Sequence, residues 1–116
     1  MTASRGGSEG ALARVVLVTA PDTAVAGSLA RRLVEERLAA CGSILPNTTS
    51  IYRWQGAVEH ATEATIVLKT TAAAVDRLAR RVAELHPYDV PEVLALPVDG
   101  GHGPYLEWIA ESVSDE

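Results

Sequence analysis

This chain of 116 residues contains very little cysteine, lysine or phenylalanine. Phenylalanine is absent, and Cys41 and Lys69 are the only residues of their types. A single cysteine excludes an intrachain disulfide and a cysteine-based zinc site within one chain, and it favours a reducing compartment. No apolar run is long enough to cross a membrane or to serve as the core of an export signal. We therefore expect a cytoplasmic protein with no membrane partner.

Basic charge is also scarce. Ten Lys and Arg residues stand against fifteen Asp and Glu, which gives a net charge of −5. The arginine pairs at 31–32 and 80–81 lie beside acidic residues in helical patterns, which is typical of solvated helix faces. The sequence has no glycine-rich phosphate loop, no nucleophile elbow and no metalloprotease helix motif. These absences argue against a nucleic-acid partner and against an enzyme.

The composition that remains is that of one ordered domain. Apolar residues make up 47% of the chain and charged residues 22%, and the length suffices for a hydrophobic core. The first ten residues are rich in Gly, Ser and Thr. We therefore predict a disordered tail at 1–13 and a folded domain at 14–113.

Hydrophobic periodicity predicts seven elements. They are a strand at 15–20, a helix at 23–37, strands at 39–54 and 57–71, a helix between Thr71 and Pro87, a strand at 93–96 and a helix at 105–112. Asp22 or Thr23 should cap the first helix, Pro46-Asn47 should interrupt the second strand, and Gln55-Gly56 should form a hairpin turn. The order β-α-β-β-α-β predicts the α+β fold class, as a ferredoxin-like sandwich with two helices on one face of a four-stranded sheet, followed by a C-terminal helix.

A two-layer sandwich leaves the second face of its sheet uncovered, and the strands here are apolar on both faces. The aromatic residues all lie beyond residue 50, and they are Tyr52, Trp54, Tyr88, Tyr105 and Trp108. Tyrosine and tryptophan favour interfaces and cleft walls over dry cores. Self-association is the simplest interpretation. The alternative is that Trp54 and Trp108 complete a small monomeric core.

The segment 85–92 concentrates polar groups between two prolines, Pro87 and Pro91. Each proline restricts the backbone, so the neighbouring histidine, tyrosine and carboxylates leave it in fixed directions. Such a segment could line a polar or metal-binding cleft. It could equally be a helix-to-strand connector in which Asp89 and Glu92 are simply solvated.

Two single residues also carry alternatives. Cys41 is a small buried hydrophobe, a soft metal ligand or a reactive thiol. Lys69, in an otherwise apolar strand, either meets an anionic ligand in a cleft or extends to water at a sheet edge. His60 and His102 lie in polar segments, and we predict that both are exposed.

Seven short motifs follow one another between residues 15 and 109. They are Val-Thr-Ala-Pro-Asp at 18–22, Glu-Arg-Leu-Ala-Ala-Cys at 36–41, Ile-Leu-Pro at 44–46, Ser-Ile-Tyr-Arg-Trp-Gln-Gly at 50–56, Leu-Lys-Thr-Thr at 68–71, His-Pro-Tyr-Asp-Val-Pro-Glu at 86–92 and Tyr-Leu-Glu-Trp at 105–108. In these motifs the chain resembles the CutA family, which is named for divalent-cation tolerance.

The resemblance implies a ferredoxin-like fold and a tight homotrimer shaped like the PII-type signalling proteins. It also implies a role in tolerance of copper and other divalent metals, without a metal requirement for folding. Some members carry a cysteine before Thr-Ala-Pro and a second histidine before the proline, where this chain has Val18 and Leu85. We therefore expect weak metal binding between subunits, with His86, Glu92 and Cys41 as candidate ligands and Asp89 as a further one.

The resemblance also implies a cleft between subunits that could take a ligand. We expect this cleft to be lined by Lys69, Trp54, Tyr88, Tyr105 and Trp108. One rival function is that of a PII-like sensor in which Lys69 and Arg53 meet an anionic small molecule. The other is a structural trimer whose cleft is only its interface.

Overall fold

The structure is a computed structural model that describes residues 12–114, and these form four strands, three α-helices and one short 3-10 turn. In chain order they are β1 (Ala13–Ala20), α1 (Thr23–Glu35), β2 (Cys41–Trp54), β3 (Ala57–Thr71), the 3-10 turn (Ala72–Ala74), α2 (Val75–Leu85), β4 (Val93–Pro97) and α3 (Gly103–Ser112). The strands lie in the order β2-β3-β1-β4, and all neighbours are antiparallel. Since β3 lies between β1 and β2, this is the predicted split β-α-β arrangement. The predicted tail at 1–13 falls outside the described residues except for its last two positions.

One face of the sheet packs against α1 and α2. Side chains alternate between the two faces of a strand. Over 16–20 of β1 and 64–70 of β3, every side chain on this face is fully buried. The resulting core contains Val16, Val18, Ala20, Leu29, Leu33, Ala64, Ile66, Leu68, Leu78 and Val82. Each large aliphatic side chain buried here contributes about 2 kcal/mol relative to exposure. This layer therefore holds the helices on the sheet.

The α1 helix begins as predicted and ends two residues early. Asp22 Oδ1 accepts a hydrogen bond from the Val25 N–H at 2.8 Å, which confirms the predicted cap. The helix was expected to reach residue 37, but Arg37 has a φ of 61°. The Leu38 N–H donates to the Leu33 carbonyl at 2.9 Å, which completes a Schellman motif with an arginine in place of the usual glycine.

The β2–β3 hairpin matches the prediction closely. The pairing register shifts between Leu45 and Thr48, where Pro46-Asn47 interrupts the strand. Gln55 and Gly56 form the turn with φ values of 49° and 84°, as a two-residue hairpin of the I′ type requires. Every side chain from 51 to 60 is exposed, so the tip of the hairpin extends beyond the rest of the fold.

The other boundaries differ from the predictions by a few residues. Strand β2 begins at residue 41 rather than 39, since the Ala39 N–H still bonds the end of α1. Thr71 makes no side-chain cap, and the 3-10 turn precedes α2. Helix α3 begins at Gly103, with Pro104 in its first turn, and its Leu106 and Ile109 are buried as predicted.

Gly42 lies where β2 approaches the helix layer most closely. A Cβ at this position would be 2.8 Å from Leu68 Cδ2 and 3.4 Å from the Ala30 Cβ. Leu68 is fully buried, so its side chain has little room to move away. The close packing here depends on the missing side chain.

We predict that Gly42→Ala lowers the free energy of unfolding by about 1 kcal/mol, because overpacking a dense core displaces its side chains. Urea unfolding followed by circular dichroism measures the change. Gly100→Ala is the matched control, since a Cβ there meets nothing within 4 Å. Equal stability of the two variants would contradict the packing argument.

Candidate functional site

His86 begins the connector between α2 and β4, and both nitrogens of its ring form hydrogen bonds with backbone groups. The side chain is 7% exposed. Its Nδ1 accepts a hydrogen bond from the Tyr88 N–H at 3.1 Å, and its Nε2 lies 2.7 Å from the Thr19 carbonyl oxygen. Since an N–H can only donate and a carbonyl can only accept, Nε2 carries the proton of a neutral ring. Neither nitrogen has a lone pair left for a metal ion.

Tyr88 extends this network to β3. Its hydroxyl donates to Glu63 Oε2 at 2.7 Å, and its ring lies 4.7 Å from that of His86. Burial, with the hydrogen bond to Glu63 as a second cause, raises the pKa of Tyr88 to about 12. The phenol therefore keeps its proton at neutral pH. It ties the connector to the middle of the sheet.

The carboxylates of the connector are placed differently. Asp89 and Glu92 are both exposed, and neither has a hydrogen bond or ion pair within residues 12–114. This agrees with the solvated connector of the sequence analysis. Both remain free to contact another molecule.

Cys41 and Lys69 lie opposite one another on β2 and β3. The Cys41 Sγ is 3.6 Å from the Tyr105 hydroxyl, and the Tyr105 ring stacks at 5.5 Å on Trp108 in α3. The hydrogen bond with Cys41, followed by burial, raises the pKa of Tyr105. Lys69 Nζ is 3.3 Å from Ser43 Oγ. This second group of polar side chains lies on the sheet face that α1 and α2 leave open.

The three predicted metal ligands do not meet within one chain. His86 and Glu92 belong to the α2–β4 connector, whereas Cys41 begins β2. Across the described part of the chain, no group of three or more His, Cys, Asp and Glu side chains is arranged to hold a metal ion. The side chains of a single subunit therefore do not fit a divalent metal, and shared ligation by several subunits remains a prediction.

The predicted cleft residues fall into separate places. Trp54 stands at the hairpin tip and is 60% exposed, while Tyr105 and Trp108 stack on α3 and Tyr88 belongs to the connector. A groove of about 310 Å³ between α1 and the end of α2 contains none of them. His60 and His102 are exposed, as predicted.

Sequence reasoning missed three partners of these side chains, namely Thr19, Ser43 and Glu63. Thr19 acts through its backbone carbonyl, for which the sequence carries no signal. Ser43 shares the face of Lys69 only once the register shift between Leu45 and Thr48 is taken into account, and Glu63 pairs with Thr48 on β2, so the strand register does not lead to its partner Tyr88.

We predict that His86→Ala lowers the free energy of unfolding by about 2 kcal/mol, because it removes a buried side chain and its two partly buried hydrogen bonds to the backbone. His60→Ala is the matched control, since His60 is an exposed histidine on β3. Urea unfolding of both variants measures the difference. If both unfolded at the wild-type urea concentration, His86 would have no structural role.

The amino-acid sequence of this chain is similar to those of proteins named for divalent-cation tolerance. A family model described as CutA1 divalent ion tolerance protein matches residues 14–112. The Divalent-cation tolerance protein CutA of Thermus thermophilus is 52% identical over 98 residues, which cover 84% of this chain and 95% of that protein. Human Protein CutA is 48% identical over 101 residues, which cover 84% of this chain and 56% of the human protein.

The fold of this chain is also similar to the solved structures of such proteins. The divalent cation tolerance protein Cut A1 of Thermus thermophilus superposes with a TM-score of 0.87 at 50% identity, covering 89% of this chain and all of that one. CutA1 of Oryza sativa superposes with a TM-score of 0.89 at 39% identity, covering 93% of this chain and 99% of that one. The mixed α+β fold with its four-stranded antiparallel sheet and three helices is thus shared with them. The chain belongs to the CutA1 divalent ion tolerance family, as its sequence motifs predicted.

Proposed function

We propose that this chain functions in divalent-cation tolerance as a homotrimer that binds metal weakly between its subunits. The observation that carries this proposal is the apolar surface that one chain leaves in water. Membership of the CutA1 family supports the tolerance role, and the names of the relatives describe a tolerance rather than a reaction. We accordingly propose a cytoplasmic protein that is not an enzyme.

Large apolar side chains are exposed on many elements, and three groups of them lie on the strands. Leu94 and Leu96 lie on the edge strand β4, Leu45 lies on β2, and the hairpin tip exposes the set Ile51, Tyr52, Trp54 and Val58. Exposed apolar surface of this extent is typical of an interaction site. A second copy supplies the same apolar surface. In a closed ring, each copy covers part of the apolar surface of its neighbour. The number three comes from the family resemblance.

The metal proposal depends on side chains from more than one subunit. Glu92 is exposed and makes no hydrogen bond or ion pair within residues 12–114, so its carboxylate is available to an ion at a subunit boundary. Cys41 offers a soft sulfur ligand, but Lys69 stands opposite it and repels a cation. His86 would have to release Thr19 or Tyr88 before it could ligate. These constraints favour weak binding.

Trp54→Ala should loosen the trimer more than it disturbs the subunit. Truncating an aromatic anchor at an interface costs about 2 kcal/mol or more. Sedimentation equilibrium across a dilution series measures the assembly. The matched control is Val34→Ala, which truncates an exposed apolar side chain on α1. A wild-type mass of one subunit at micromolar concentration would overturn the proposed trimer.

Zn²⁺ is a suitable divalent probe because it binds thiolate, imidazole and carboxylate without redox chemistry. We predict that calorimetry of the assembled protein shows weak Zn²⁺ binding, and that Glu92→Gln and Cys41→Ser each weaken it further. His60→Ala should leave the affinity unchanged. Unaltered affinity in both ligand variants would refute this site.

A further inference from the structure

Lys69 extends from the open face of the sheet, and its nearest partners on β1 and β4 are apolar. Its neighbours in β3, Leu68 and Thr70, are fully buried on the opposite face. Its partners across the sheet are Cys41 on β2 and Val15 on β1, and beyond Val15 follows Leu96 on β4. These residues share the Lys69 face, because cross-strand partners lie side by side.

The positive charge of Lys69 has no acidic partner. Its Nζ contacts two neutral oxygens, Ser43 Oγ at 3.3 Å and the Val67 carbonyl at 3.5 Å. No carboxylate among residues 12–114 lies within 4.0 Å of it, whereas Arg31, Arg32 and Arg81 all pair with glutamates. A half-buried ammonium without a counter-ion is an unfavourable arrangement. Covering the open face with another subunit would bury the Lys69 ammonium further.

Several side chains near Lys69 carry a proton on oxygen or sulfur that can be donated. Ser43 contributes a hydroxyl, and the Cys41 thiol and Tyr105 hydroxyl meet beside it at 3.6 Å. Either atom can be the donor in the contact between Cys41 and Tyr105, and when the Cys41 thiol donates to the phenol oxygen, the Tyr105 proton is available to a ligand. An ammonium with hydroxyl groups beside it can bind a ligand whose oxygen atoms carry negative charge.

We propose that Lys69, Ser43 and Tyr105 form a binding site for a small oxyanion, a carboxylate or a phosphate, on the open face of the sheet. The ligand has the opposite charge from the divalent cation of the proposed function, so this site does not depend on metal binding. The bound anion neutralises Lys69 and thereby stabilises the covered face. The competing explanation is that a carboxylate of a neighbouring subunit pairs with Lys69.

The test uses the full chain and two probes, inorganic phosphate and citrate, at fixed ionic strength with chloride as the balancing ion. Thermal unfolding and calorimetry should both detect binding of at least one probe. A response to phosphate alone identifies a phosphoryl ligand, and a response to citrate alone identifies a carboxylate. The absence of any response would overturn the proposal.

Two variants test the role of the lysine. Lys69→Met should weaken probe binding by about tenfold or more, since it removes a charge-assisted hydrogen bond. In chloride alone the same variant should be at least as stable as the wild type, because an apolar side chain of similar length replaces an unpaired charge. Ser43→Ala should weaken binding to a smaller extent.

The control is Arg80→Met, which removes an exposed cation from α2 and should change neither binding nor stability. Equal probe binding by Lys69→Met and the wild type would overturn the site. A marked loss of stability of Lys69→Met in chloride would show instead that a neighbouring subunit pairs with the lysine. Zn²⁺ titration of Lys69→Met separates the two proposals, since metal binding should survive the loss of the anion site.

Discussion

The open face of the four-stranded sheet is the constraint on which the rest of this molecule depends. Helices α1 and α2 cover one face, and α3 packs only over one end of the other, around Ala13, Leu106 and Ile109. The remainder of that face and the hairpin tip consist largely of aliphatic and aromatic side chains in water. Residues 12–114 leave this surface uncovered, which is why we propose that other copies of the chain cover it. The fold and the proposed assembly thus have one physical cause.

The polar residues divide into two groups with different roles. In the connector, His86 and Tyr88 use their hydrogen-bonding groups on Thr19, Glu63 and the backbone, which fixes the path of the chain from α2 to β4. On the open face, Lys69 has neutral partners only among the residues described. The first group is therefore structural, and the second is the one that a ligand would complete.

Much of the fold could be predicted from the sequence because alternation and helical periodicity survive in nearly every element. The end of α1 could not, since Arg37 takes a positive φ where glycine is the usual signal, and its side chain donates to the Glu111 carbonyl, 74 residues away. The neighbours of Lys69 in the candidate site were harder to predict. Counting back from the hairpin turn without the bulge pairs Lys69 with Gly42, whereas the register shift pairs it with Cys41.

Acrylamide quenching of tryptophan fluorescence tests most directly whether the open face and hairpin are covered by other copies of the chain. In the single subunit Trp54 is 60% exposed and Trp108 is 41% exposed. If the subunits assemble through these surfaces, quenching of the native protein will be far weaker than that of the chain unfolded in urea. Quenching as efficient as in the unfolded chain would contradict the account, because the aromatic surface would then lie in water.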